Sequence, residues 1–198
     1  METKVILSLF DYSGNWSSFY KTAGYTVYRV DKKLDIDILD LRLQDLPFDE
    51  VHGILAAPPC TDFASSGAQY WAAKDLDGRT KQSLQLVEKT LELISYFSPQ
   101  FWALENPVGR LPKLLPQLGV PWYFNPNEFA GYCSEPHTEA YTKKTGLWGQ
   151  FCKPEKRPVE PIPGASPIMR LGGKSERTKE LRSMTPLGFS RAFFLSNQ

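Results

Sequence analysis

Short apolar runs, each closed by a polar or turn-forming segment, recur along the first 104 residues of the chain. They span residues 4–10, 25–30, 54–57 and 101–104. Near-continuous apolar runs of this length are typical of strands that are buried on both faces of a parallel sheet. The pattern therefore predicts an α/β fold whose sheet is mostly parallel.

Helical periodicity is clearest at residues 78–97, where aliphatic side chains recur along one stripe. Two shorter helices are predicted at residues 16–23, ended by Gly24, and at residues 188–195. The last helix carries apolar side chains on one face, which predicts that it packs back on the rest of the chain.

The segments between these elements are aperiodic or rich in turn-forming residues. Residues 34–41 alternate acidic and aliphatic side chains, and we interpret them as a brief edge segment or strand end. We interpret residues 63–71 as a mobile active-site loop and residues 113–126 as irregular chain. We interpret residues 141–149 as a basic turn that enters a strand, and residues 151–175 as an extended proline-rich loop.

The chain has 198 residues, enough for one domain with a sizeable core. It has no run of eighteen apolar residues, and its first residues lack a signal-peptide profile, so we expect a soluble cytoplasmic protein. Its three cysteines form no close pair, and neither histidine stands at ligand spacing from them. This argues against a disulfide framework and against a zinc site.

Charge is unevenly distributed along the chain, although the net charge is only +1. Residues 141–198 hold eleven Lys or Arg and four Asp or Glu, a local charge of +7, which leaves −6 for the first 140 residues. A basic region beside an acidic body favours a polyanionic partner. The alternative is that these lysines only keep a loop solvated.

Cys60 stands directly after the apolar run 54–57 and the pair Pro58-Pro59. Proline cannot donate a ladder hydrogen bond, so the chain leaves the sheet here and Cys60 is presented past the carboxyl end of a strand. Open α/β sheets bind their ligands at that edge, which makes the thiol a candidate nucleophile. The alternative is a small buried residue without chemistry.

Glu105 ends another buried run and is followed by Asn106 and Pro107. A carboxylic acid at the same edge of the sheet as Cys60 forms a nucleophile and acid/base pair with it. The alternative is a solvated strand-end glutamate.

A strand, a turn holding Gly14, a helix and a second strand that ends on Asp31 begin the chain. This order is typical of nucleotide-binding βαβ units, in which backbone N–H groups face the ligand and the acid takes ribose hydroxyls. The alternative is a turn glycine and a solvated aspartate.

In combination, the glycine turn with Asp31, Pro58-Pro59-Cys60 and Glu105-Asn106-Pro107 resemble the cytosine-C5 DNA methyltransferases. Their catalytic strand ends carry a Pro-Cys and a Glu-Asn dipeptide in this order. The chain is most similar to short phage and prophage members of that family, and the likeness covers nearly the whole chain. The matching segments are 9–16, 56–63, 103–109, 142–145 and 185–193.

The resemblance implies a class I (Rossmann-like) methyltransferase fold with a reduced C-terminal extension, S-adenosyl-L-methionine as cofactor and DNA as partner. It implies that Cys60 adds to C6 of cytosine, which makes C5 nucleophilic, while Glu105 holds N3 and the 4-amino group. Asn106 is implied to position the surrounding loops, and Lys144 to stand at the family's arginine-containing motif. A base within a duplex is first flipped out of the stack.

The cofactor site implied by the resemblance draws on nine residues. The methionine side is assigned to the turn after the first strand, ribose to an aspartate, and adenine to an aspartate and an isoleucine with a proline packed beside it. The methionine side comprises Phe10, Asp11, Gly14, Asn15 and Trp16. Asp31 is assigned to ribose, Asp37 and Ile38 to adenine, and Pro58 packs beside the adenine.

The chain departs from the family pattern at three points. Tyr12 occupies the place of a second glycine, and Lys143-Lys144 replaces the arginine motif. Lysine cannot make the bidentate contacts of arginine. No segment is long enough for a target-recognition domain. We divide the chain into a catalytic domain (1–150), a basic proline-rich loop that forms a reduced recognition region (151–184), and a C-terminal helix that packs back (185–198).

Two other functions compete with cytosine-C5 methylation of DNA. The missing recognition domain favours RNA or a free cytosine nucleotide as the substrate. Tyr12 and Lys143-Lys144 favour a methylase-fold binding protein without turnover, whereas intact Cys60 and Glu105 argue against it. A phage-like enzyme is expected in the cytoplasm of a bacterial host, where protection from restriction is a plausible purpose.

Overall fold

The computed structural model of the chain describes residues 3–163 and 176–198. The strands within these ranges form one sheet and are β1 (Val5–Leu9), β2 (Thr26–Val30), β3 (Gly53–Ala56), β4 (Phe101–Pro107), β5 (Trp122–Phe124) and β6 (Thr145–Gln150). Their spatial order is β2-β1-β3-β4-β6-β5. The first four strands are parallel to one another, and β6 is antiparallel to both β4 and β5. The predicted mostly parallel sheet is confirmed.

The parallel strands end level with one another at one edge of the sheet. Leu9 of β1 lies opposite Ala56 of β3, and Ala56 lies opposite Leu104 of β4. Cys60 lies just past the end of β3, and Glu105 directly follows Leu104 on β4, so both lie toward the same edge of the parallel part of the sheet. This edge is where ligands bind in open α/β sheets.

Helices cover both faces of the sheet. They are α1 (Ser18–Thr22), α2 (Trp71–Leu76), α3 (Arg79–Phe97), α4 (Leu111–Leu114), α5 (Glu176–Ser183) and α6 (Leu187–Ser196). The predicted helix at 78–97 is therefore confirmed with its start moved by one residue. The helix predicted at 188–195 is one residue longer at each end.

Alternate residues of each central strand contribute to two apolar clusters. On one face, Leu7 and Ile54 pack in a cluster that includes Val87 and Leu93 of α3. On the other face, the neighbouring strand residues Ile6 and Leu55 pack with aromatic residues. These are Trp16, Tyr20, Phe189 and Phe193, from α1, the turn before it, and α6. Burial on both faces explains why the strand sequences are apolar without alternation.

The prediction of an edge segment at 34–41 was wrong. The chain forms two 3-10 turns there, Lys32–Leu34 and Ile38–Asp40. Asp31 accepts a hydrogen bond from the backbone N–H of Lys33, and Asp37 accepts one from that of Leu39. Aspartate side chains offer the backbone this local alternative to a ladder, so the alternation of acids and aliphatics does not mark a strand.

Two segments expected to be irregular are structured. Residues 63–71 form the 3-10 turn Ser65–Tyr70 and the start of α2 rather than a loop. Residues 113–126 contain strand β5, which is only three residues long. Short elements of this kind fall below the length at which periodicity can be detected.

The proline-rich loop is described only as far as residue 163, and residues 151–163 contain no helix or strand. The rest of that predicted loop, 164–175, lies outside the described residues, and the division of the chain at 150 and 184 stays a prediction. Across residues 3–163 and 176–198, no helix has both the length and the apolar character that crossing a bilayer requires.

Candidate active site

A groove, called here the strand-end groove, lies along the edge where β1, β2 and β3 end. One part of it has a volume of about 430 Å³ and is lined by Cys60, and an adjoining part of about 560 Å³ is lined by Asp11. Both parts share lining residues, so they adjoin each other along the strand ends. The shared residues are Phe10, Asp31, Lys32, Lys33, Pro59, Glu180 and Ser183.

The turn after β1 is shaped by one buried carboxylate. Asp11 Oδ2 accepts hydrogen bonds from Ser8 Oγ at 2.8 Å and from Ser17 Oγ at 2.7 Å. Phe10 and Gly14 have positive φ values of 59° and 73°. A left-handed conformation at a non-glycine residue such as Phe10 is costly, and it is often found where a chain is bent toward a ligand site. The turn thus brings Phe10 to the groove.

The structure brings five of the nine predicted cofactor residues to the strand-end groove. These are Phe10, Asp11, Asp31, Asp37 and Ile38. The other four do not line it, and each has another place in the fold. They are Gly14, Asn15, Trp16 and Pro58.

Trp16 is a core residue with 1% of its surface exposed, and its ring centroid lies 5.9 Å from that of Phe193. Asn15 Nδ2 donates to the carbonyl of Thr185 at 3.2 Å, which joins the β1 turn to the chain before α6. Gly14 is favoured by its positive φ of 73°, because residues other than glycine rarely adopt that conformation. Sequence reasoning did not foresee the packing roles of these residues, and their part in a cofactor site stays a prediction.

Asp31 and Asp37, two of the acidic residues that line the groove, are held in place by local contacts. Asp37 Oδ1 accepts from the backbone N–H of Leu39 at 3.0 Å, and Asp37 Oδ2 lies 2.8 Å from Lys32 Nζ. Burial alone raises the pKa of Asp37, but these partners outweigh burial and hold the pKa below its usual value. Asp31 Oδ1 accepts from Lys33 N at 2.8 Å. The groove therefore presents carboxylate groups in fixed orientations.

Cys60 begins a tight turn whose backbone is hydrogen-bonded on both sides. Its carbonyl accepts from Phe63 N at 3.0 Å and from Ala64 N at 2.9 Å. Two residues earlier, the carbonyl of Pro58 accepts from Asn106 Nδ2 at 3.0 Å. Asn106 is fully buried, so it links the Cys60 turn to β4 from inside the molecule. This is the structural reason for an asparagine directly after Glu105.

Glu105 of β4 lines a narrow space beside the strand-end groove. That space measures only about 10 Å³, and Lys143, Ser183 and Met184 also line it. A volume of this size admits roughly one water molecule. Ser183 also lines both parts of the strand-end groove, which makes the narrow space and the groove neighbours.

Cys60, Glu105 and Lys143 interact electrostatically. Burial raises the pKa of Cys60, the nearby charge of Glu105 raises it further, and Lys143 lowers it. Burial raises the pKa of Glu105, and the same Lys143 opposes that rise. Burial thus keeps the Glu105 carboxyl protonated to a higher pH than an exposed glutamate. In its protonated form it can donate a hydrogen bond to a ring nitrogen, and the Cys60 thiol can act as a nucleophile once deprotonated.

The prediction that Lys144 belongs to the catalytic group is not supported by its position. Lys144 is exposed, and its Nζ lies 4.6 Å from the centroid of the Tyr123 ring. Lys143, its neighbour, is the lysine whose charge acts on both Cys60 and Glu105. The backbone carbonyl of Arg182 accepts from Lys143 Nζ at 3.0 Å and holds that side chain in place.

Sequence reasoning missed the residues that cover the site. The segment 180–186, called here the roof, comprises the end of α5 and the chain before α6. Lys33 forms an ion pair with Glu180, and the roof also accepts the bonds from Lys143 and Asn15 described above. After the roof, the Glu139 carboxylate accepts from the backbone N–H groups of Leu187 at 2.6 Å and Gly188 at 2.8 Å. Contacts from four parts of the fold thus hold the roof over the site.

No group of three or more His, Cys, Asp or Glu side chains in the described parts of the chain is arranged to hold a metal ion. No protein-family model matches the chain. The type II methyltransferase M.DdeI of Desulfomicrobium norvegicum is 28% identical to it over 125 residues, which is 54% of this chain and 28% of that protein.

Two solved structures are similar in fold. A prophage-encoded E. coli protein, assigned as a DNA modification methyltransferase, superposes with a TM-score of 0.50 at 15% sequence identity. The superposition covers 88% of this chain and 56% of the prophage-encoded chain. The methyltransferase EhMeth of Entamoeba histolytica has a TM-score of 0.46 at 9% identity, covering 82% and 57%. The chain therefore spans little more than half of each.

The likeness to the prophage-encoded protein bears on the fold. Together with the six-stranded sheet and its flanking helices, it confirms an α/β class I, Rossmann-like methyltransferase fold.

Proposed function

We propose that this chain is an S-adenosyl-L-methionine-dependent methyltransferase that methylates C5 of cytosine in DNA through a bond between Cys60 Sγ and C6. The observation that supports the proposal is the position of Cys60, just past the end of β3, and of Glu105, on the adjacent strand β4, where the charge of Lys143 acts on both. The similarity to M.DdeI supports the same reaction class.

The strand-end groove fits the proposed cofactor. Its volume lies within the range of small-molecule sites. Asp31 and Asp37 can accept hydrogen bonds from hydroxyl and amino groups, and the side chains of Phe10 and Ile38 provide apolar walls for a purine ring. When bound, S-adenosyl-L-methionine supplies an electrophilic methyl group.

The thiol of Cys60 provides the nucleophile. As the Sγ–C6 bond forms, the thiol proton is released and the electron pair of the conjugated ring shifts toward N3, which makes C5 nucleophilic. After C5 gains the methyl group, its proton passes to solvent water. The C5–H electron pair forms the C5=C6 bond, and the electrons of the Sγ–C6 bond leave with sulfur, which restores the aromatic ring and the thiolate. The pKa of Cys60 is raised overall. Among the charges that act on the thiol, the ammonium group of Lys143 is the one that favours the thiolate.

Glu105 supplies the proton that N3 takes up. Because burial raises its pKa, the carboxyl group remains protonated at a higher pH than an exposed glutamate. It can therefore donate to N3 as Sγ adds to C6, and recover that proton when the ring is restored. Asn106 contributes by holding the Pro58 carbonyl and thus the turn that presents the thiol.

A second candidate substrate is RNA or a free cytosine nucleotide. It is favoured by the region between β4 and β6, where the structure has only α4, short 3-10 turns and β5, and no separate recognition domain. DNA is favoured by the basic character of residues 141–198, since Lys and Arg contacts to phosphates bind DNA independently of its sequence.

The test is methyl transfer from labelled cofactor to duplex DNA, single-stranded DNA, RNA and cytidine nucleotides. We expect label at C5 of cytosine in DNA, with a binding affinity for DNA that falls steeply with salt. DNA that contains 5-fluorocytosine should trap a covalent complex through Cys60, detectable by mass spectrometry of the Cys60 peptide. Transfer without such a trapped complex contradicts the C6-adduct mechanism, and label only in nucleotide or RNA favours the second substrate.

A further inference from the structure

The backbone of the turn that carries Cys60 is anchored by polar side chains outside it. Three consecutive carbonyls follow Cys60, and each accepts a hydrogen bond. Lys74 Nζ donates to Thr61 O at 2.5 Å, Arg110 Nε to Asp62 O at 3.0 Å, and the backbone N–H of Arg110 to Phe63 O at 2.9 Å. Two basic residues thus hold the peptide groups directly after the proposed nucleophile.

Lys74 is also paired with a buried acid in the same turn. Its Nζ lies 3.0 Å from Asp62 Oδ1, and the side chains of Lys74 and Asp62 are only 7% and 11% exposed. Asp62 Oδ2 accepts from Ser83 Oγ of α3 at 2.5 Å. Burial raises the pKa of Asp62, but these partners lower it below its usual value, so the acid is charged.

Arg110 connects the same turn to α2 and α3. Its Nη1 lies 2.8 Å from Asp75 Oδ2, and its Nη2 donates to Thr80 Oγ1 at 2.7 Å. The guanidinium carbon lies 4.8 Å from the centroid of the Trp71 ring. The Arg110 side chain is 8% exposed, so its position is fixed on all sides.

Buried charges are costly to desolvate, and replacing a buried ion pair with apolar residues is often neutral or stabilising. A contribution to the free energy of unfolding is therefore a weak explanation for two cations bound to one turn. We infer that Lys74 and Arg110 are positioning residues for Cys60, which fix the turn so that Sγ meets C6 of the target base at bonding distance. The inference rests on the proposed function for its chemistry, and on the contacts of the turn for its geometry.

Nucleophilic addition requires the reacting atoms to approach within about 3–3.5 Å in the correct orientation, and a displacement of about 1 Å can cost on the order of 100-fold in rate. The double variant Lys74→Met/Asp62→Asn removes both charges without leaving either one unpaired. Its matched control is Lys89→Met/Glu92→Gln, because these residues form an ion pair on α3 in which Glu92 is 54% exposed.

We expect the rate of adduct formation with 5-fluorocytosine DNA to fall on the order of 100-fold in Lys74→Met/Asp62→Asn. The affinity for S-adenosylhomocysteine and the KM for DNA should stay within about twofold of the wild type, because neither Lys74 nor Asp62 lines the strand-end groove. Lys74→Arg, which keeps the charge and the donors, should retain most of the rate. The control variant should match the wild type in every measurement.

A second readout does not depend on turnover. Iodoacetamide labelling of Cys60, followed at the Cys60 peptide, should be faster in Lys74→Met/Asp62→Asn because a released turn exposes the thiol. An unchanged labelling rate overturns the inference even if the wild type does not methylate DNA, whereas a wild type that forms no adduct contradicts only the proposed function. If the double variant does not fold, Arg110→Lys is measured instead, and labelling equal to the wild type again overturns the inference.

Discussion

The two sides of the candidate site differ in how much space they offer. The strand-end groove beside Asp31 and Asp37 has parts of about 430 and 560 Å³, whereas the space over Glu105 measures about 10 Å³. Both lie at the same edge of one sheet, and the roof borders both. For the proposed function, the groove already offers room for the cofactor, whereas the space at Glu105 is too small for a pyrimidine as the structure stands.

The largest effect is expected when the proposed nucleophile is removed, because methyl transfer should be lost while cofactor binding in the strand-end groove remains. Cys60→Ser should lower methyl transfer by at least about 10³-fold, because it removes the nucleophile. Binding of S-adenosylhomocysteine, measured by calorimetry, should persist. Cys152→Ser is the matched control, since Cys152 is an exposed free cysteine. Full activity of Cys60→Ser would show that another group attacks C6.

Glu105→Gln tests the other member of the pair. We expect kcat to fall by about 10²–10³-fold, because glutamine cannot deliver a proton to N3. The affinity for S-adenosylhomocysteine should not change, since Glu105 does not line the strand-end groove. Single-turnover methylation and calorimetry measure the two quantities. A loss of cofactor affinity in this variant would contradict the division of the site into two sides.

Lys143 and Lys144 provide an internal comparison of two adjacent lysines. Lys143→Met should reduce the methylation rate on the order of tenfold and shift the pH–rate profile to higher pH, because Lys143 lowers the pKa of Cys60. Lys144→Met removes the same charge from an exposed site and should leave the position of the profile unchanged. Equal shifts in both variants would mean that the general basic charge of the region, and not Lys143 in particular, acts on the thiol.

The raised pKa of Glu105 also predicts a pH dependence of stability. Between the ordinary pKa of 4.5 and the raised value, the folded state binds more protons than the unfolded state. The contribution of Glu105 to the free energy of unfolding therefore falls as pH rises through this window. Glu105→Gln should remove that fall. The urea midpoint of the variant should therefore rise relative to that of the wild type as the pH increases from 4.5. Glu92→Gln, at an exposed position, is the control, and parallel curves for Glu105→Gln and the wild type would contradict the prediction.

The smallest effect is expected at the roof. Lys33 and Glu180 are 44% and 39% exposed, so solvent weakens their ion pair. Lys33→Gln/Glu180→Gln should weaken S-adenosylhomocysteine binding by less than about fivefold. The exposed pair Arg42 and Asp45 gives the control variant Arg42→Gln/Asp45→Asn. A much larger loss would show that this pair, rather than the strand ends, holds the cofactor.

The sheet edge was predictable because prolines mark it in the sequence. Pro58-Pro59 and Pro107 stop two buried strands, and this placed Cys60 and Glu105 at one edge before any coordinates. The choice between Lys143 and Lys144 was not predictable, since Lys143 is oriented by the carbonyl of Arg182, 39 residues downstream. Nothing in the local sequence records such a contact.

The remaining differences have similar causes. Trp16 stands in a turn with groove residues, yet it packs against α6, which lies far along the chain. Strand β5 is too short to show alternation, and it forms because β6 pairs with it. Lys74 follows an aperiodic segment that carries no signal of a buried ion pair. Local pattern thus predicts strand ends, while contacts between distant segments determine the packing behind them.

The roof also has a consequence for folding during synthesis. Asn15 and Thr185 are 170 residues apart, and Lys33 and Glu180 are 147 apart. Pairings of such wide separation carry a high loop-closure entropy and form slowly compared with local ones. A growing chain can assemble the four parallel strands from its first 107 residues, but the contacts of the roof wait until residue 185 has been translated. The roof is thereby among the last parts of the described chain to be fixed in place.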